Sequence, residues 1–182
     1  MEKKHLIIFT DIGDTIVNES TEVKVPGTEL VLRADCIPGA VETMRRLYDE
    51  GYTILMVADG LVRSFHNTMT QNGLDDIFTA RIISERVGEQ KPSWKMFQAA
   101  MDAAGLTEAD KGRIIMVGNN IRRDVLGANR FGIRSVLLTW SPKYTYTAET
   151  PEMEPTYRIA APTELLGLVH RLEDELTAGS DR

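Results

Sequence analysis

Four polar features in this sequence stand where apolar runs stop, and their side chains are of the kinds that attack, neutralise or coordinate. His5 to Thr10 (HLIIFT) ends at Asp11, and Thr53 to Ala58 (TILMVA) ends at Asp59-Gly60. Ala80 to Ile83 is followed by the segment before Lys91-Pro92, and Arg113 to Val117 (RIIMV) leads into Asn119 and, five residues on, Asp124. A carboxylate with a reference pKa of about 3.9 is ionised at neutral pH, so it can act as a nucleophile without an activating base. A lysine beside it would balance charge on an anionic group. Alone, each has a plainer reading: Asp11 as a turn cap, Lys91 as a solvated cation, Asp124 as an acidic first-turn residue favoured by a helix dipole.

The elements that must position these residues follow from periodicity. His5 to Thr10 and Thr53 to Ala58 read as strands buried on both faces. Thr21 to Arg33, with Pro26-Gly27 in the middle, reads as a short hairpin or irregular flap. Val41, Met44, Leu47 and Tyr48 share one helical face after Gly39, and Gly51 stops that helix. Leu61 to Asn72 suits a second helix, closed by Gly73, and Ala80 to Ile83 a third strand. Trp94, Phe97, Met101 and Ala104 recur at helical spacing before Gly105, a stripe for core packing. Arg113 to Val117 is a fourth strand, Val125 to Phe131 a helix stopped by Gly132, and Arg134 to Thr139 a fifth strand. Ser141 to Pro155, with three prolines, reads as a long loop. Leu165, Leu166, Val169 and Leu172 mark a final helix.

Strands alternating with helices imply an α/β fold: a doubly wound, mainly parallel sheet with right-handed crossovers, helices on both faces and no cap domain. The expected organisation is one domain over residues 1–176, with a flap at about 17–36 and a frayed end at 177–182. Ligands of such sheets bind beyond the carboxyl ends of the strands, so the four polar features converge on one site.

At 182 residues the chain has room for one well-packed core. Its net charge of −6 argues against nucleic acid as a partner, because phosphate backbones need concentrated Lys and Arg. The lone Cys36 offers neither a disulfide nor a metal cluster, and reads as a small, at least half-buried side chain. The basic start of MEKKHLIIFT leads into an apolar run too short for a signal peptide, and no stretch reaches transmembrane length; a cytoplasmic protein with no membrane partner is expected.

Four segments in order resemble the haloacid dehalogenase superfamily, whose members are mostly phosphatases: FTDIGDTIV (Phe9 to Val17), ILMVADG, Lys91-Pro92 followed by a helix with Phe97, and IMVGNNIRRDVLGANRFGI (Ile115 to Ile133). The resemblance implies that Asp11 is the nucleophile, forming an aspartyl-phosphate, and that Lys91 neutralises charge between Asp11 and the phosphoryl oxygens. It implies phosphate contacts at the Ala58-Asp59 loop and from Lys91. It also implies Mg²⁺, held weakly by Asp11, the Gly13 carbonyl and Asn119, with Asp124 as ligand or behind the ligands.

Three positions depart from that family's pattern. The second Asp of the first motif, which protonates the leaving group and later activates water, is Gly13. The Thr or Ser that contacts phosphate is Ala58, which leaves only backbone N–H groups there. The first Asp of the fourth motif is Asn119, which brings an amide oxygen but no charge. Asp14 stands next to the gap; its expected role is a turn residue, since Asp tolerates the left-handed region. Arg122 and Arg123 read as surface residues within reach of an anionic substrate.

The intervals from Asp11 to Ala58 and from Ala58 to Lys91 are filled by the flap and core elements, so the site is expected to be open. A homo-oligomer, or the Ser141–Pro155 loop with Trp140, Tyr144 and Tyr146, would cover it; those aromatic residues equally suit stacking on the sheet edge. The resemblance implies a weak or narrow Mg²⁺-dependent phosphatase acting on a phosphorylated small molecule or macromolecule. The alternatives are a catalytically degenerate protein that binds a phosphorylated ligand or protein partner and, third, a metal-independent dehalogenase.

Overall fold

The first described strand lies inside the sheet. Strand β1 (Ile7–Thr10) is buried along its whole length and pairs in parallel with a strand on each side. Its apolar and β-branched residues suit a surface packed on both faces. Successive side chains point to opposite sides of a strand, and the core divides accordingly: Leu6 and Ile8 belong to one cluster, Ile7 and Phe9 to the other.

A computed structural model describes residues 4–180; Met1 to Lys3, where the basic start falls, and the last two residues lie outside it. After β1 come an antiparallel hairpin, β2 (Val23–Lys24) and β3 (Val31–Arg33), then α1 (Ala40–Asp49), β4 (Thr53–Ala58) and α2 (Val62–Gln71). Strand β5 (Ala80–Ile83), the one-turn α3 (Ser84–Val87), α4 (Trp94–Ala103) and β6 (Ile114–Gly118) follow. A π-turn at Ile121–Val125 runs into α5 (Leu126–Phe131), and β7 (Arg134–Leu138), β8 (Tyr157–Ile159) and α6 (Glu164–Ser180) complete the order.

The six-stranded sheet is ordered β5-β4-β1-β6-β7-β8, and each pairing is parallel. The chain moves outward from β1 through β4 to β5, then crosses back to β6 and continues through β7. That reversal opens a crevice at the carboxyl ends of β4, β1 and β6, where a doubly wound sheet binds its ligand. Ala40, Met44 and Leu47 of α1, Met69 of α2, and Leu165, Leu168, Val169 and Leu172 of α6 cover one face. Met96, Phe97, Ala100 and Met101 of α4, with Ala128 and Phe131 of α5, cover the other. The expected α/β architecture with helices on both faces is therefore the observed one. Among the described residues no separate cap domain is present; the β2–β3 hairpin is what stands over the strand ends.

Some elements differ from the periodicity reading. Strand β8 was hidden in the sequence because three residues between Pro155 and Pro162 are too few to alternate; it pairs with β7. The helix after β6 begins four residues before Val125, as a π-turn whose first N–H groups are held by Asn120: its side-chain oxygen accepts from Arg122 N at 3.0 Å and Arg123 N at 3.1 Å. Helix α6 continues past Thr177 to Ser180, and the Thr177 hydroxyl donates back to the Glu173 carbonyl at 3.1 Å. Trp94 is 60% exposed and outside the packed stripe. It follows the Ser93 cap at the start of α4, while Phe97, Met101 and partly Ala104 do pack inward. Cys36 is half-buried, and burial pushes its thiol up to about 11.

Candidate active site

Asp11 is fixed before its side chain is considered. Its N–H donates to the Val117 carbonyl at 2.9 Å, so the end of β1 is tied to the end of β6. Oδ1 accepts from Lys91 Nζ at 2.8 Å, and Oδ2 receives a longer contact from the Thr15 hydroxyl at 3.4 Å. The Asp11 side chain retains 14% exposure, whereas that of Lys91 retains 1%.

The Lys91 ammonium has three N–H donors, and three oxygens meet it: Asp11 Oδ1, Asp124 Oδ1 at 2.7 Å and the Val57 carbonyl at 2.7 Å. Burial works against its charge, but the carboxylates of Asp11, Asp124 and Asp59 outweigh that and hold the pKa above the ordinary lysine value. Asp124 is itself buried, which pulls its carboxyl upward against the pull of Lys91. Its Oδ2 accepts from Asn120 N at 3.0 Å, so both oxygens are committed. Gly118 is required here: a Cβ would lie 2.3 Å from the Asp124 carboxyl carbon.

Ala58 is fully buried at the end of β4. Beyond it, Gly60 N in the loop donates to the Ser84 hydroxyl at 2.9 Å and Val62 N at the start of α2 to Glu85 Oε2 at 2.7 Å, so α3 takes up both N–H groups. Asp59 holds the lysine loop: Oδ1 accepts from Lys91 N at 3.0 Å, while Arg123 approaches Oδ2 at 3.6 Å. Burial raises the Asp59 pKa, and Lys91 offsets part of that. Of the two arginines read as surface residues within reach of an anionic substrate, Arg123 lines the cleft and Arg122 turns outward to pair with Glu149.

Asn119 is 3% exposed and poorly satisfied. Its Oδ1 is 3.5 Å from the Thr15 hydroxyl, and Nδ2 is buried with no hydrogen-bond partner. The two ends of an amide are interchangeable in assignment, so an oxygen can stand at the unpartnered position. Asp11, Gly13 and Asn119 line one cleft and offer only oxygen donors, a set that fits Mg²⁺ completed by water. Among the described residues no three or more His, Cys, Asp or Glu side chains are grouped to hold a metal.

Asp14, next to the missing carboxylate, has φ 46° and is wholly buried. Its Oδ1 accepts from Glu19 N at 3.0 Å; its Oδ2 accepts from the Ser141 hydroxyl at 3.3 Å and faces Lys143 Nζ at 3.2 Å. It works as a turn residue anchoring the segment that follows. That segment delivers Glu19, whose Oε1 is 2.0 Å from the position a Cβ on Gly13 would take. Glu19 Oε2 accepts from the Tyr144 hydroxyl at 3.4 Å. Burial raises the Glu19 pKa, and the charges of Asp14, Glu22 and Asp11 add to it. Sequence reasoning missed Glu19; the only local signal is an acidic residue after an Asn18 cap in the turn leaving the first motif.

The cleft measures about 380 Å³. Glu22, Lys24 and Glu29 of the hairpin form one wall, and Ser64, Phe65 and Thr68 of α2 another. Of the three aromatic residues in and beside the long loop, Tyr144 lines the cleft. Trp140 packs against the core, and the Tyr146 hydroxyl donates to the Ser141 carbonyl at 2.6 Å.

With a strand-end aspartate, a buried lysine on it and a second aspartate behind, the arrangement is that of one family. Residues 10–138 match the family described as haloacid dehalogenase-like hydrolase. The chain belongs to it. Glyceraldehyde 3-phosphate phosphatase of Pyrococcus furiosus is 34% identical over 146 residues, which is 80% of this chain and 57% of that protein. Pyrimidine 5'-nucleotidase YjjG of Escherichia coli K12 is 27% identical over 155 residues, 85% of this chain and 61% of that protein. The chain thus spans about three fifths of these relatives. A haloacid dehalogenase-family phosphatase structure from Thermococcus onnurineus aligns with TM-score 0.71 at 18% identity, covering 90% of this chain and 97% of that one, a likeness of fold. No helix among the described residues is long and apolar enough to cross a membrane.

Proposed function

We propose that this hydrolase is a phosphatase that takes a phosphoryl group onto Asp11 and then hydrolyses the aspartyl-phosphate. The observation that carries the reading is Lys91: a buried ammonium shared between Asp11 Oδ1 and Asp124 Oδ1, with Asp11 left partly open to the cleft. A lysine so placed orients Asp11 and neutralises an incoming phosphoryl oxygen in a site of low dielectric. Asp11 needs no base to attack phosphorus.

When bound, Mg²⁺ would be held by Asp11, the Gly13 carbonyl and Asn119, with Asp124 as a ligand or behind Lys91, and would supply charge neutralisation on the phosphoryl oxygens. Affinity is weak in this reading, because Asn119 brings no charge and Lys91 already balances Asp11. The phosphate contacts come from Lys91 and the Ala58-Asp59 loop. The relatives named for glyceraldehyde 3-phosphate and for pyrimidine nucleotides both point to small phosphate monoesters as the substrate class.

A second reading, a degenerate member that binds a phosphorylated ligand or protein without turnover, draws on the N–H groups of Gly60 and Val62 being occupied by Ser84 and Glu85. Dehalogenation has less support, since the described residues hold no domain that would enclose a small organic acid. Hydrolysis of acetyl phosphate or p-nitrophenyl phosphate with Mg²⁺ separates the first two. Turnover lost in Asp11→Asn supports the phosphatase; turnover no higher than that of Asp11→Asn rejects it.

A further inference from the structure

We propose that Glu19 supplies the acid/base carboxylate that the first motif lacks at position 13, reaching the same space from the turn that follows. The inference rests on the phosphatase reading and adds a catalytic residue to it. A side chain at position 13 would leave the backbone through a Cβ, and Glu19 Oε1 lies 2.0 Å from that point, with its carboxyl carbon at 3.0 Å. The two cannot coexist: the glycine makes room for the glutamate, and the glutamate fills the room with the same functional group.

The carboxylate is delivered and held. Asp14, at φ 46°, accepts the Glu19 N–H at 3.0 Å and is itself met by Ser141 and Lys143. Tyr144 engages Oε2 at 3.4 Å, and Oε1 is the oxygen beside Gly13. Glu19 lines the same cleft as Asp11. The other acidic side chains there are committed elsewhere. Asp59 accepts from Lys91 N and faces Arg123, Asp124 is taken by Lys91 and Asn120 N, and Glu22 and Glu29 lie 3.7 Å and 2.7 Å from Lys24.

In the first step Asp11 Oδ forms a bond to phosphorus and the bond from phosphorus to the leaving oxygen breaks. That oxygen keeps the electron pair and takes a proton from Glu19, departing as an alcohol. In the second step Glu19, now a carboxylate, takes a proton from water as the water oxygen bonds to phosphorus. The bond from Asp11 to phosphorus then breaks, releasing phosphate and leaving Asp11 ionised and Glu19 protonated as at the start.

The test compares p-nitrophenyl, phenyl and benzyl phosphate, three esters of similar shape whose leaving groups need a proton increasingly, with wild type, Glu19→Gln, Glu19→Ala and Gly13→Asp/Glu19→Ala, all with Mg²⁺. Read as leaving group released in the first turnover with enzyme in excess, Glu19→Gln should keep cleavage of p-nitrophenyl phosphate within about tenfold and lose that of benzyl phosphate by about 10²–10⁴-fold, while steady-state turnover, which includes the water step, falls on all three. Gly13→Asp/Glu19→Ala should recover much of the benzyl activity that Glu19→Ala lacks. Equal loss of first-turnover release on all three esters, or no loss, would overturn the role of Glu19 while leaving Asp11-dependent hydrolysis standing. So would a wild type that cleaves p-nitrophenyl but not benzyl phosphate. Absence of any Asp11-dependent turnover would overturn the phosphatase reading and the role of Glu19 together.

Discussion

Lys91 Nζ lies 2.7 Å from Asp124 Oδ1, and the two side chains keep 1% and 2% of their exposure. Removing one member of a buried ion pair strands the other, at a cost of about 3–5 kcal/mol, whereas replacing both with apolar groups is often close to neutral. Lys91→Met should therefore destabilise by an amount of that order. Lys91→Met/Asp124→Leu should regain a large part of it, because Asp11 can rehydrate through its open side. Urea unfolding of the four forms reads the coupling directly; a double variant as unstable as the sum of the singles would contradict the pair as drawn. Activity should be lost in both variants carrying Lys91→Met, which separates the chemistry of Lys91 from its part in stability.

Gly127 sits in α5, where alanine would ordinarily gain about 1 kcal/mol of helix propensity. Here a Cβ would lie 2.6 Å from Phe97 Cε2 and 3.2 Å from the Pro92 Cα. Phe97 cannot easily yield, since it is fully buried and stacked on Phe131 at 5.5 Å. Overpacking costs about 1–3 kcal/mol, so the loss should win and Gly127→Ala should melt a few degrees below wild type. A higher melting temperature would show that the helix term dominates.

Glu173 is 6% exposed, and burial alone would raise its pKa. The N–H groups of His5 at 2.9 Å and Leu6 at 2.8 Å, with the His5 ring, outweigh burial and lower it. A carboxyl depressed in the folded state adds stability above its unfolded pKa of about 4.3 and loses it as pH falls through the folded value. Glu173→Gln should be less stable than wild type at pH 6–7, by about 1–3 kcal/mol. The gap should narrow below about pH 4. A gap that is constant from pH 7 to pH 3 would remove the charge from the account.

Much of the sheet was legible because its central strands are continuous apolar runs ended by polar residues, and each run has a single buried solution. Asp11, Asp59, Lys91 and Asn119 could be brought to one crevice from sequence because strand ends in a parallel sheet converge. Trp94 misled because helical spacing says which residues share a face, not where along the helix the sheet ends. Strand β8 was too short to carry a period. Glu19 was invisible for a different reason: its link to Gly13 runs through a turn whose path is set by Asp14, Ser141 and Lys143, and the last two lie far along the chain. The first motif shows the gap at position 13, but only the fold shows what fills it.

In the reading proposed above, Asp11 accepts a phosphoryl group. Mixing the protein with Mg²⁺ and acetyl phosphate, quenching in acid within a turnover and mapping the digest by mass spectrometry tests it most directly. One phosphoryl group on Asp11, absent from Asp11→Asn, is the predicted result. Release of phosphate with Asp11 unmodified at every quench time would contradict it.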